Sequence, residues 1–460
     1  VKSHLINLTR GNEIGANSYL LNLGGSRVVL DAGMHPQKTG WEATANFSPL
    51  AQQPPAAIFL THAHHDHTGS LPLLMQRHPD ARVFMSEPTY FLAEPLLHNS
   101  VNVMKRQREE LSIREYPLFT HNDLQSLTKK WQACQLNRHW SIEGFPIKPN
   151  DAFTCRFRLL HAGHILGSTM VELETAQKRV LYTGDICLHD QTLMTRAARP
   201  EGPYDLLIIE TTRGAQPGPV GYARKQLEQD LIKAIQTTFE RGGAVLLPIF
   251  AMGKTQEILT VLHHAQRRGE LPDSTLFIGG LGKVFAQIYD RTAGRSERAF
   301  PNLQLLEDIR PQVFDLRKAR DFKPQRGHIY LLPSGMMTLQ TTSNVLAPAF
   351  LARENDSIFF VGYTDPASPA GHLRRTERGQ RVTINPLLGD HPVRCEVKYF
   401  DFTSHALRED LLEFILEARP KNCALVHGDT AALEWFKQAV QERNPKINVF
   451  LPEPGKEIAF

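Results

Sequence analysis

Thr61-His62-Ala63-His64-His65-Asp66-His67 follows the apolar run AIFL at 57–60 and precedes a segment that Ser70 and Pro72 are suited to open as a helix. Four metal-ligating side chains, His62, His64, Asp66 and His67, fall within six residues. In extended backbone His62 and His64 point the same way, and a following turn aims Asp66 and His67 at the other side of a shared pocket. Imidazole and carboxylate suit zinc, and a hydrolytic centre also needs a coordination position left for water. One local cluster cannot complete two such centres, so further ligands must come from distant strand ends. His164 in HAGHILGS, Asp185 in LYTGD and His427 in ALVHGD stand beside glycines that let backbone approach closely.

Outward from the cluster, short apolar runs ending in turns predict buried strands at 27–33, 57–64, 179–185 and 205–212. The pattern continues at 244–251, 275–280, 329–335, 357–364, 396–402 and 423–429. Leu227, Leu231, Ile235 and Phe239 recur at helical spacing, and helices are also predicted from Lys254 toward Gly269, between Ser404 and Pro420, and over 430–443. Strands alternating with helices predict an α/β protein, and 460 residues favour two domains over one. Residues 92–150 read as polar and mostly helical, with Lys105, Arg106, Arg108, Glu109 and Glu110 on a solvated face.

Composition narrows the class further. Hydrophobic residues at 41% and charged residues at 22% exclude a disordered or fibrous chain. No apolar run approaches the roughly 20 residues of a membrane helix, and no signal-peptide layout opens the chain, so no membrane partner and a cytoplasmic setting are expected. Cys134, Cys155, Cys187, Cys395 and Cys423 form no C-x-x-C pair and read as buried thiols. A net charge of +4 permits a nucleic-acid substrate without demanding one. The GKT at 253–255 is not a phosphate-binding P-loop, because Pro248 stands where that motif needs glycine.

The His62–His67 pattern resembles the H-x-H-x-D-H mark of the metallo-β-lactamase superfamily. Asp31 in VVLDAG, His164 and Asp185 match its other motifs in order, over residues 1 to about 190. The resemblance implies an αββα sandwich and two Zn2+ ions, one on His62, His64 and His164, the other on Asp66, His67 and His427, with Asp185 bridging. Asp31 would orient a ligand histidine, and His65 would be a packed or solvent-facing residue. The long interval between Asp185 and His427 resembles the inserted domain of the β-CASP nucleases, giving expected boundaries of 1–205, 206–380 and 381–460.

On that likeness Glu210 in LLIIETT and His372 in SPAGHL form an acid pair, with His372 protonating the departing ribose oxygen. Asp66, Glu210 and His372 make up the catalytic set. Lys254, Ser334 and Gly335 resemble phosphate-contacting positions. In DFTSHALRED Leu407 replaces the family's usual aspartate, so His405 is expected to support the site or cap a helix, with Glu409 or Asp410 as its partner. The implied activity is zinc-dependent hydrolysis of single-stranded RNA, internal or from a 5′ end. DNA cleavage, a thioester or other small-molecule metallohydrolase, and an inactive RNA-processing scaffold are the competing readings. With no stretch read as an added RNA-binding domain, specificity is expected from a partner or a homodimer.

Overall fold

A computed structural model describes residues 2–148 and 151–460, which form two compact units. Of the described residues, the first comprises those within 2–148, 151–190, 195–220 and 404–460, and the second 191–194 and 221–403.

In the first unit two seven-stranded sheets lie face to face, as the sandwich expectation requires. One sheet runs Glu457–Ala459, His4–Asn7, Tyr19–Leu23, Ser26–Leu30, Ala57–Phe59, Arg82–Ser86, Trp131–Cys134. The other runs Asn448–Phe450, Pro420–Val426, Tyr204–Glu210, Arg179–Tyr182, Thr169–Glu174, Arg156–His161, His139–Ser141. Their inner faces share one core, in which Phe157 packs against Phe59 and Phe84 with ring centroids 4.7 and 4.8 Å apart. Burying an aromatic or leucine side chain contributes about 1.5–3 kcal/mol, so this seam is the main stabiliser of the sandwich. Helices Arg408–Ala418 and Thr430–Arg443 cover the outer face of the second sheet through Leu411, Ile415, Leu433 and Phe436.

The second unit is a six-stranded parallel sheet, ordered Gln312–Val313, Leu276–Ile278, Ile329–Leu332, Val245–Pro248, Ser357–Phe360, Glu396–Tyr399. Its inner strands Ile329–Leu332, Val245–Pro248 and Ser357–Phe360 are buried, and helices Arg224–Glu240 and Lys254–Arg267 cover one side while Thr342–Leu351 and Pro369–Arg375 cover the other.

The expected boundaries at 206 and 380 both fall too early. Tyr204–Glu210 pairs in parallel with Arg179–Tyr182 and Pro420–Val426, which places it inside the first unit's sheet. At the other end Glu396–Tyr399 extends the second unit's sheet by pairing with Ser357–Phe360. Residues 92–150 hold the helix Glu87–Leu111, whose charged cluster is exposed as read, and also the strands Trp131–Cys134 and His139–Ser141 that sequence periodicity passed over. Pro149 and Asn150 of that stretch lie outside the described residues. All five cysteines are buried and free, and among the described residues no helix is long and apolar enough to cross a membrane.

A buried ion pair ties the second unit together. Glu257 accepts from the backbone N–H of Thr192 (2.6 Å) and Leu193 (2.8 Å) and from the Arg224 guanidinium (2.5 Å), which also donates to the Thr403 carbonyl at 3.2 Å. Burial raises the Glu257 pKa, but Arg224 and the two amides outweigh it and hold it below the ordinary 4.5. Glu257→Ala leaves Arg224 charged and buried, so a loss of about 3–5 kcal/mol is expected in denaturant melts. Because the folded pKa is depressed, the pair's contribution is complete above about pH 4.5 and declines as pH falls through the folded value. A melt of Glu257→Ala as stable as the unsubstituted chain at pH 7 would sink this account.

Candidate metal centre

The strand Ala57–Phe59 ends just before Thr61, and the chain then makes a single helical turn, His65–Thr68. That geometry separates the cluster's two pairs. His62 and His64 lie on the extended approach with ring centroids 4.9 Å apart, while Asp66 and His67 come from the turn. From the opposing sheet come His164 after Arg156–His161, Asp185 after Arg179–Tyr182 and His427 after Pro420–Val426. Gly184 and Gly428 make the close approach feasible. A Cβ at Gly184 (φ +51°) would meet the Thr61 side chain at 2.6 Å, and one at Gly428 would meet Thr211 Oγ1 at 2.1 Å.

The ligand atoms converge in two groups, His62 with His64, His164 and Asp185, and Asp66 with His67 and His427. Asp185 faces both. Its Oδ2 lies 3.5 Å from His62 Nε2 and 3.7 Å from His164 Nε2, and its Oδ1 lies 3.4 Å from His67 Nε2 and 2.8 Å from His427 Nδ1. His64 Nδ1 and His164 Nε2 point at each other across 3.1 Å. The Nε2 atoms of His62 and His427 are buried with no hydrogen-bond partner, an arrangement a bound cation would satisfy. Burial pushes the His62, His64 and His164 imidazoles down, His64 to about 4, so they stay neutral and keep lone pairs for a cation. Burial alone would protonate Asp185, but His427 and His67 outweigh it and hold the carboxylate charged. His64 and Asp66 are only partly buried.

A network of hydrogen bonds fixes the ligand rings. Asp31, fully buried, accepts from Thr61 N (2.8 Å), Thr61 Oγ1 (2.8 Å) and Tyr182 OH (2.7 Å), and it meets His67 Nδ1 at 2.7 Å. That contact turns His67 Nε2 toward Asp185. His164 Nδ1 donates to the Ser404 carbonyl at 2.8 Å, which presents its Nε2 in the same way. Tyr182 and Ser404 were not singled out from the sequence, although Tyr182 stands three residues before Asp185 on the same strand end. Asp31→Asn puts an amide donor where His67 and Tyr182 need an acceptor, so metal affinity is expected to fall about 10–100-fold, read by competition with a chromophoric chelator. Unchanged affinity would show that Asp31 does not orient His67.

The acid pair differs from expectation. Glu210 is buried at the end of its strand and accepts from Ile186 N (2.7 Å) and Thr212 N (3.3 Å). Both its carboxylate oxygens lie 3.1 Å from His405 Nδ1, so its imidazole partner is His405, where sequence reading chose His372. Glu210, His405 and Asp185 converge within 4.8 Å, and the His405 ring packs on His164 with centroids 4.5 Å apart. Burial opposes charge on His405, yet Glu210 and Asp185 outweigh it and raise its pKa. His372 is exposed on the helix Pro369–Arg375 in the second unit. Of the two substitute partners, Glu409 accepts from Gly218 N and pairs with Arg408. Nor is His405 a helix cap, because Leu407 holds that position for Arg408–Ala418.

The proposed phosphate contacts also have internal partners. Lys254 Nζ donates to the Phe402 carbonyl, and Ser334 Oγ accepts from Thr338 N at 2.9 Å within its own turn, beside Gly335. His65 meets Ser100 Oγ at 2.9 Å and belongs to neither ligand group.

With this geometry in view, similarity to known proteins is specific. Residues 11–236 match the metallo-beta-lactamase superfamily, 255–373 the Beta-Casp domain and 390–452 the Zn-dependent metallo-hydrolase RNA specificity domain. The chain belongs to the metallo-β-lactamase superfamily, in its β-CASP branch. Endoribonuclease YSH1 of Saccharomyces cerevisiae is 28% identical over 466 residues, covering 97% of this chain and 58% of that protein. Endoribonuclease YSH1 of Eremothecium gossypii is 28% identical over 440 residues, covering 93% of this chain and 55% of that protein. Integrator complex subunit 11 of Danio rerio is 25% identical over 464 residues, covering 98% of this chain and 73% of that protein. This β-CASP chain thus spans about half the length of the YSH1 endoribonucleases it matches. A crystal structure of a protein of unknown function from Enterococcus faecalis V583 shares the fold, with a TM-score of 0.54, 14% identity and full coverage of both chains.

Proposed function

We propose that this chain is a zinc-dependent endoribonuclease that hydrolyses phosphodiester bonds of single-stranded RNA. The observation that carries the reading is the pair of ligand groups joined through Asp185, with the Glu210–His405 dyad directly beside it. A donor set of imidazoles and carboxylates favours zinc over the all-oxygen preference of magnesium or calcium. His62, His64 and His164 would hold one ion, Asp66, His67 and His427 the other, and Asp185 both. Cations held there would supply Lewis-acid activation of a water at neutral pH and neutralisation of charge on the phosphoryl oxygens.

The chain's own groups do the rest. Ser404 and Asp31 fix the rings of His164 and His67, so those ligand positions need not reorganise during reaction. Glu210 holds His405 by Nδ1, which favours its protonated form and makes the imidazolium the proton donor to the departing oxygen. Support for RNA comes from the names of the relatives and from the match over 390–452, which includes both His405 and His427.

The test is cleavage of a 5′-labelled single-stranded RNA and of the matched DNA by metal-loaded protein. A ladder from RNA alone is expected. Mononucleotide release would replace internal cutting by exonuclease action, equal cutting of both strands would remove the RNA preference, and no cutting despite bound metal would sink the reading.

A further inference from the structure

The second unit has a cavity of about 610 Å3, lined by that unit's residues alone. Three of its arginines come from the stretch HLRRTERGQR at 372–381, Arg374 and Arg375 ending the helix Pro369–Arg375 and Arg378 in the turn beyond. Arg241 faces them from the end of the helix Arg224–Glu240. Val393 and Cys395 back the cavity from the core, and partly buried Val397 presents apolar surface to it.

A run of arginines is ordinarily a solvated face, but here the guanidiniums are held in place by neutral acceptors. Arg374 donates to Thr364 Oγ1 at 2.6 Å and lies over the Tyr399 ring, 3.6 Å from its centroid. Arg375 donates to the Pro366 carbonyl at 2.7 Å and Arg378 to the Arg394 carbonyl at 2.8 Å. Among the described residues none of the three forms an ion pair with a carboxylate. The cavity's acidic residues do not cancel them. Glu396 is paired with both Arg241 (2.9 Å) and Lys398 (2.6 Å), and exposed Glu354 and Glu377 face three unpaired guanidiniums.

Each guanidinium has five N–H donors in a planar fork, so after one bond to the protein it retains donors that match the oxygens of a phosphate. The volume suits a ligand of nucleotide size, and the apolar surface beside the arginines suits its sugar or base. We propose that this cavity binds nucleotide phosphates and gives an RNA strand a second anchoring site, on the inserted unit. The anion chemistry stands on the arginines; the choice of a strand as its source rests on the ribonuclease reading.

The experiment uses the full metal-loaded chain carrying His405→Ala, so that turnover is slow while binding is read. Fluorescence anisotropy with a labelled oligouridylate is recorded across a salt series, with and without Arg375→Gln/Arg378→Gln. Arg374 is left in place because it packs on Tyr399. Binding is expected to weaken about tenfold or more, and the slope of log K against log salt to shrink by about 0.7 for each phosphate that is no longer neutralised. Arg375→Lys/Arg378→Lys, which keeps the charge, is expected to retain most of the salt slope and so separates a missing phosphate interaction from a misfolded chain.

A labelled mononucleotide distinguishes the sources. Affinity rising with strand length supports the strand, and equal arginine-dependent affinity for the mononucleotide supports a free-nucleotide site. Unchanged affinity and slope in the glutamine variant, or no binding of either probe by the arginine-bearing chain, overturns the proposal. Arginine-dependent binding without cleavage by the chain retaining His405 would sink the ribonuclease reading alone. Cleavage with arginine-independent binding would sink this site alone.

Discussion

Asp185→Ala is expected to lower RNA cleavage by more than about 10³-fold and to leave fewer than two metal ions per chain after gel filtration. The two oxygens of this carboxylate face the two ligand groups separately. Removing it takes one donor from each group and also the negative charge on which His67 and His427 depend. Asp185→Asn keeps the volume but offers one neutral oxygen, so one group is expected to lose its ion before the other. Elemental analysis alongside single-turnover cleavage reads both effects. Two tightly held ions and a rate within about tenfold of the unsubstituted chain would refute the bridging role.

His405→Ala is expected to slow RNA cleavage by about 10²–10⁴-fold while metal content stays at its original value. The effect should depend on the leaving group. A phosphodiester that expels p-nitrophenolate needs no proton at the departing oxygen, so on that substrate the variant should recover most of the rate. Glu210→Gln, which removes the charge facing Nδ1, should act in the same direction, and adding it to His405→Ala should cost little more, because the two residues work as one unit. His372→Ala is the comparison and is expected to stay close to the unsubstituted rate. An equal loss on RNA and on the p-nitrophenyl ester would mean that His405 supports the metal ligands instead of donating a proton.

These assignments show what sequence alone can and cannot supply. The His62–His67 cluster was legible because four donors within six residues are rare by chance, and Asp185 and His427 followed as polar residues at the ends of apolar runs. The ten predicted strands and the five predicted helices all appear, since a run such as AVLLP or a recurrence such as Leu227, Leu231, Ile235 reports burial directly. The Glu210–His405 pair was not legible. It depends on Tyr204–Glu210 lying between Arg179–Tyr182 and Pro420–Val426, and sheet order is a tertiary fact that no local periodicity encodes. The same strand misled the domain boundary, because DLLIIETT followed by a helix reads like any other strand of an inserted α/β unit. Lys254 and Ser334 had suitable chemistry for phosphate, but chemistry does not reveal that each also has an internal partner, the Phe402 carbonyl for Lys254 and the Thr338 amide for Ser334.

The division of the ligands between two facing sheets has a consequence during synthesis. His62, His64, Asp66 and His67 emerge early and lie close enough to chelate a cation in an unfolded chain, whereas Asp185 and His427 are made much later and reach them only when the sheets close. A nascent chain therefore displays a metal trap long before the native donors exist, and an ion captured then would sit on the wrong set. Folding first and loading second is the order that this topology rewards, so the yield of active protein should be higher when zinc is supplied after refolding than when it is present throughout.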